Sequence, residues 1–113
     1  MFGFPCLLAL LSKPVEKNKT VIKFTAGKPA EFNTPFLFTP LSGNGKIYTE
    51  INFKYVYILD IGNNRVVILD KKGNLINTLT SKDFTKLVDF DIDEKNKVMY
   101  ILNDSSLLKV SLP

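Results

Sequence analysis

Short apolar runs separated by polar turns fill the second half of the chain. Four such runs follow one another at residues 46–51, 55–60, 65–70 and 75–80. Each combines aromatic and β-branched residues in the alternating or continuous apolar pattern that is typical of a strand. Asn63-Asn64 and Gly73-Asn74 lie between runs, and these residue types tolerate the positive φ of tight hairpin turns. The pattern therefore predicts a four-stranded antiparallel meander over residues 46–80.

A second set of runs repeats the first. It comprises residues 87–93, 97–104 and 106–112, and in the first of these Val88, Phe90 and Ile92 alternate with Asp89, Asp91 and Asp93. Tyr57 and Tyr100 both begin the sequence Tyr-Ile-Leu and lie 43 residues apart. A period of this size is produced by the four-stranded blades of a β-propeller. Only residues 81–87 offer a helix, a single turn that Ser81 would cap.

The first 45 residues are less regular. Residues 1–11 are apolar but shorter than the roughly 20 residues that a membrane-spanning helix needs. They are the end of a longer hydrophobic segment, a degenerate export signal or a displaced piece of core, and the sequence leaves all three open. A polar linker follows up to residue 18, and residues 19–26 form a spare strand.

The unit at residues 55–76 resembles an NHL repeat, a blade of a β-propeller. The matching positions are Val56-Tyr57, Asp60, Gly62-Asn63-Asn64, Arg65-Val66, Val67 to Leu69 and Gly73. The second repeat departs from this pattern, because Asn103-Asp104-Ser105-Ser106 stand where the first repeat has the stretch from Asp60 to Arg65, and no Arg is present. The resemblance implies an all-β fold of antiparallel meander blades, about two blades in an incomplete ring. More broadly, residues 46–113 are similar to the final blades of bacterial, membrane-anchored propeller proteins. This resemblance implies a membrane-associated location in the cell envelope.

The strand count does not close a ring. The predicted order is one spare strand, a blade of four strands and a second blade of only three. Propellers often complete their last blade with the first strand of the chain, so the spare strand could supply the missing one. Residues 19–113 are thus expected to be a fragment of a longer propeller. The alternative is a homo-oligomer in which three copies exchange strands to build six blades.

The amino-acid composition excludes several kinds of catalytic site. The chain has no His and a single Cys, which excludes Ser-His-Asp and Cys-His catalysis and an intrachain disulfide. Its net charge of +4 comes from dispersed lysines, so we expect no nucleic-acid partner. The apolar amino-terminal segment permits contact with a membrane. We expect no enzyme activity and no cofactor.

Two groups of polar residues are candidate sites. Asp60, Asn63, Asn64 and Arg65 flank the turn of the NHL-like unit, where Asp60 and Arg65 are expected to form a charge-assisted hydrogen bond that fixes the hairpin. The same four residues could instead present polar groups to a ligand.

Asp89, Asp91 and Asp93 carry the oxygen ligands that calcium prefers. Their alternation along a strand and the lack of a Gly at the sixth position of the segment favour a solvated polar face over a metal site.

The sequence thus favours a non-catalytic repeat module that binds a protein or peptide or acts as a scaffold. Two alternatives stay open: part of a calcium-dependent propeller hydrolase or lactonase, and an RNA-binding NHL-type surface.

Overall fold

The computed structural model describes residues 6–10, 21–25, 28–30 and 41–112 of the chain. Apart from a single 3-10 turn at Ile61–Asn63, the regular structure of these residues is all strand, arranged in antiparallel sheets. The all-β, antiparallel fold class that the alternation predicts is therefore confirmed. No helix in the described part of the chain is long and apolar enough to cross a membrane.

The first of the two repeated units is a four-stranded sheet, here called the first sheet. Its strands are β4 (Gly45–Tyr48), β5 (Tyr55–Asp60), β6 (Arg65–Asp70) and β7 (Leu75–Thr80), and they lie side by side in chain order. The tight turns follow the prediction from residue type, since Asn64 and Gly73 adopt φ values of 50° and 96°.

The second sheet has three strands, also in chain order. They are β8 (Leu87–Asp93), β9 (Val98–Asn103) and β10 (Ser106–Ser111), which cover the three runs that the repeat predicts. A register shift between Leu87 and Asp89 makes Val88 an extra residue in the ladder. As a result Leu87 is buried and Val88 is exposed, so the expectation that Val88 shares a face with Phe90 and Ile92 is wrong.

The helical turn predicted over residues 81–87 is absent. Phe84 N–H donates to the carbonyl of Ser81, and Ser81 Oγ accepts from Asp83 N–H, which closes a turn rather than a helix. Phe84 and Leu87 are both buried in the core, and the chain must extend at Leu87 to begin β8. The single 3-10 turn lies instead at Ile61–Asn63, inside the hairpin between β5 and β6.

A third sheet comes from the amino-terminal part. Its strands are β1 (Cys6–Leu10), β2 (Val21–Thr25) and β3 (Lys28–Ala30), with β2 in the centre. The spare strand predicted at residues 19–26 is thus present as β2, but it pairs with β1 and β3 and not with the edge of the second sheet. The linker predicted up to residue 18 lies outside the described residues.

The first and second sheets pack face to face. We call front face the side of the first sheet that carries Tyr57, Leu59, Val66 and Ile68, which form one cluster with Leu87, Ile92, Met99 and Ile101 of the second sheet. Strand β8 lies against β5. These four front-face side chains therefore leave water by packing on the second sheet.

The opposite side, the back face of the first sheet, is equally closed. It carries Val56, Ile58, Val67 and Leu69, all 0% exposed, with Leu41 and Ile47 packed against them. Strands β5 and β6 are therefore buried on both faces. This double burial explains why their sequences are nearly continuous apolar runs.

We expect Leu59→Ala, a truncation in the contact between the two sheets, to lower the free energy of unfolding by about 2–5 kcal/mol, since Leu59 is fully buried. The matched control is Leu107→Ala, at a leucine that is 69% exposed, which should change stability by less than about 0.5 kcal/mol. Urea unfolding followed by circular dichroism measures both. Equal losses would contradict the packing of the sheets described above.

Candidate functional site

The carboxylate of Asp60 organises the corner where β5 ends. Its side chain is almost fully buried, and each oxygen accepts two hydrogen bonds. Oδ1 accepts from the backbone N–H and the hydroxyl of Ser42, at 3.2 and 2.5 Å. Oδ2 accepts from Asn63 Nδ2 at 2.9 Å and from Arg65 Nε at 2.8 Å. A buried carboxylate with four donors, one of them cationic, is a satisfied structural group.

The predicted charge-assisted hydrogen bond between Asp60 and Arg65 is therefore present. The two residues also pair across the β5–β6 ladder, with side chains only 2% and 9% exposed. Asn63 belongs to the same network, whereas Asn64 is exposed and supplies the left-handed φ that closes the turn. Three of the four candidate residues thus hold the corner together, and the fourth shapes its backbone.

Close packing against two glycines completes the corner. A Cβ on Gly45 would lie 1.9 Å from the carbonyl oxygen of Leu59, and a Cβ on Gly62 would lie 2.6 Å from Ser42 Oγ. The N–H of Gly62 donates to the carbonyl of Asn44. Glycine at both places is what allows the loop from residue 41 to lie over the end of the hairpin.

The second sheet repeats this corner with different chemistry. Asn103 stands 43 residues after Asp60, and Thr85 stands 43 residues after Ser42. Asn103 Oδ1 accepts from the N–H groups of Thr85 and Lys86 at 3.0 and 2.9 Å, and its Nδ2 donates to Thr85 Oγ1 at 3.2 Å. The repeat is therefore structural as well as sequential.

The two corners differ in charge in a consistent way. Asp60 pairs with Arg65 across its hairpin, whereas Asn103 pairs with Ser106. A buried carboxylate needs a cation, but a neutral amide needs only hydrogen bonds. The absence of Arg from the second repeat, which departs from the NHL pattern, is matched by the absence of the carboxylate. This compensation indicates that the corner is conserved in geometry within the chain.

Glu94 links the sheets at their opposite end. Its Oε1 accepts from Lys54 N–H at 2.6 Å, and its Oε2 accepts from Tyr55 N–H at 3.2 Å and from the Tyr57 hydroxyl at 2.7 Å. Desolvation, followed by the hydrogen bond and the negative charge of Glu94, raises the pKa of Tyr57 well above its ordinary value. The sequence suggested Glu94 only as a further oxygen ligand beside Asp89, Asp91 and Asp93. It did not predict these hydrogen bonds, because the partners of Glu94 lie about 40 residues away in the chain.

The aspartates proposed as weak metal ligands do not converge. Asp89 forms an exposed ion pair with Lys46 at 3.2 Å, and Asp91 accepts from the N–H of Ile92. Asp93 accepts from the backbone and side chain of Asn96, which lowers the pKa of Asp93. Among the described residues, no three His, Cys, Asp or Glu side chains are placed to share a metal ion.

The turn between β6 and β7 uses the same device as Asp93. Asp70 Oδ1 accepts from the N–H groups of Lys72 and Asn74, and Oδ2 accepts from Asn74 Nδ2. These hydrogen bonds, that of the Asn74 side chain above all, lower the pKa of Asp70. Asp70 and Asp93 thus each bind the side chain and the backbone of an Asn in their own turn.

The Asp60–Arg65 pair can be tested by a double-mutant cycle. Arg65→Met leaves the buried Asp60 carboxylate without its cationic partner, and it should lower the free energy of unfolding by about 3–5 kcal/mol. Adding Asp60→Asn should recover part of that loss, because it removes the unpaired charge and imitates the second corner. Lys46→Met, at an ion pair whose side chains are about half exposed, is the control and should cost at most about 1 kcal/mol. Strictly additive losses would show that the pair is not coupled.

The raised pKa of Tyr57 predicts a loss of stability in alkali. Below about pH 10 the hydroxyl is protonated in both states, and its hydrogen bond to Glu94 stabilises the fold fully. Above that pH the unfolded chain ionises first, so stability falls by up to about 1.4 kcal/mol per pH unit for this group.

Tyr57→Phe should flatten the alkaline slope of the unfolding free energy, measured with urea between about pH 8 and 11.5. Tyr48, whose pKa is raised to about 12 mainly by its hydrogen bond to Glu50, contributes to the slope that remains. Leu107→Ala, at an exposed leucine that carries no titratable group, is the control and should keep the slope of the parent chain. An unchanged slope in Tyr57→Phe would count against the link through Glu94.

Comparisons of the chain with protein-family models, with curated proteins and with solved structures found no match.

Proposed function

We propose that this chain is a repeat module of the NHL-like β-propeller type that binds a protein or peptide, or holds other domains apart, and catalyses no reaction. One observation carries the proposal: the two sheets repeat at 43 residues in strand order, corner and polar network. A repeated unit of this kind gains stability by stacking on its neighbour, and it serves mainly to present surfaces.

The sense of the stacking supports a propeller-type array. The repeat makes Met99, Ile101, Leu108 and Val110 of the second sheet equivalent to the back face of the first sheet. These residues form, or pack against, the cluster that contains Tyr57 and Leu59. The front face of the first sheet therefore meets the back face of the second sheet. Such front-to-back contacts can continue from sheet to sheet, as blades do.

The open side of the first sheet offers a surface for a peptide. Strand β7 ends this sheet in the described part of the chain, and Leu75 and Ile76 on it are about 40% exposed. An edge strand presents free N–H and C=O groups to an extended peptide, and exposed apolar side chains on alternate faces add specificity. We therefore assign peptide binding to the β7 edge.

The test uses a photo-crosslinking amino acid placed at Ile76 in the full chain, in the cells that produce it. The control position for the crosslinker is Asp104, which is exposed in the turn between β9 and β10 of the second sheet. We expect a discrete protein adduct from position 76 only. The identified partner should then bind the purified chain in calorimetry, and Ile76→Asp should weaken binding at least tenfold. Equal labelling at the two positions, or unchanged affinity of Ile76→Asp, would contradict the proposal.

A further inference from the structure

The front face of the second sheet is uncovered although its counterpart in the first sheet is a core. By the 43-residue repeat, Tyr100 and Leu102 correspond to the buried Tyr57 and Leu59. Leu107 corresponds to the buried Val66 through the ladder, because Leu107 pairs with Leu102 as Val66 pairs with Leu59. Leu107 is nevertheless 69% exposed, and the other two side chains are only half-buried. Exposed apolar residues gathered on one face of a sheet are typical of an interaction surface.

Charged residues on this face differ from those on the first sheet. Asp91 takes the place of Tyr48, and Lys109 takes the place of Ile68. Asp91 pairs with Tyr100 in the ladder, and Tyr100 pairs with Lys109, so one row across the sheet reads acid, aromatic, base. The face thus has an apolar centre, with a negative charge on its β8 side and a positive charge on its β10 side.

The back faces of the first and second sheets are both already buried. That of the first sheet is 0% exposed at Val56, Ile58, Val67 and Leu69, and that of the second sheet lies against the first. A further copy therefore cannot add itself front to back, as the two sheets within the chain do. It can still offer its own front face.

We propose that the front face of the second sheet is a dimer interface that takes the same face of a second copy of this chain. A two-fold axis parallel to β9 lays β8 of one copy over β10 of the other. Asp91 then faces Lys109 of the second copy twice, once on each side of the axis, and the two Tyr100 rings meet at the centre. Leu107 faces Asp89, whose charge is paired with Lys46 within its own chain.

The interface is small, so the dimer is weak. Three strands about 4.8 Å apart and about 20 Å long present on the order of 300 Å² of sheet, less than the roughly 800 Å² per partner of a stable complex. Dimerisation should consequently depend on concentration and, because it relies on exposed charges, weaken with salt. This pairing involves the second sheet alone, so it can fail while peptide binding at β7 holds, and the reverse.

The experiment is sedimentation equilibrium of the full chain from about 10 µM to about 1 mM. We expect the mass to rise with concentration from 12.8 kDa towards twice that value. Leu107→Asp should raise the dissociation constant at least tenfold, whereas Leu75→Asp, at an exposed leucine of the first sheet, should leave it unchanged. Circular dichroism confirms that each variant is folded.

Charge reversal tests the two-fold arrangement itself. Asp91→Lys and Lys109→Asp chains should each stay monomeric alone, because every facing pair then has like charges. An equimolar mixture of the two should recover a dimer, since each reversed residue meets an opposite charge in the other chain. A chain that stays monomeric at every concentration, a dimer that survives Leu107→Asp, or a mixture that fails to associate would overturn the proposal.

Discussion

The structure depends on the burial of β5 and β6 on both of their faces. Four consecutive residues of β5, Val56 to Leu59, and four of β6, Val66 to Leu69, are 0–1% exposed. Side chains of a strand point alternately to opposite sides, so no single partner layer can cover such a run. The second sheet covers the front face, and the back face is closed as well. Among residues 41–112, β4 and β7 flank these two strands, and the second sheet packs on their front face.

Polar networks at the two ends of the sheets fix the loops and link one sheet to the other. At one end Asp60 and Asn103 satisfy the N–H groups of the loops that precede β4 and β8, and at the other Glu94 reaches from the second sheet to the N–H groups that begin β5. Each network uses up the hydrogen-bonding capacity of a side chain that is buried or partly buried. Apolar burial brings the two sheets together, and the hydrogen bonds of Glu94 join the end of β8 to the start of β5.

Comparison of the two repeated sheets shows what they share and why the front face of the second sheet is exposed. The two sheets share corner geometry, yet the front face that is a core in the first sheet carries Asp91 and Lys109 in the second. Where the first sheet has the buried Ile68, the second sheet has Lys109. A charged residue at such a position disfavours burial against an apolar sheet. In the proposed dimer, those charges favour a second copy over a further apolar sheet. The proposed peptide site is the separate β7 edge.

Much of this protein is determined by the sequence alone. Period-two and continuous apolar runs predicted every strand of residues 45–111 to within a few residues, because strand formation follows local alternation and turn residues such as Asn64 and Gly73. The Asp60–Arg65 bond was also predictable, since both residues flank one short turn. Tertiary structure alone decided which sheet β2 joins, that Val88 is the extra residue of a bulge, and that Glu94 and Ser42 are bound to partners far along the chain. Those features depend on contacts between distant segments, and a local pattern of residues carries no information about which distant group will satisfy a buried hydrogen-bonding atom.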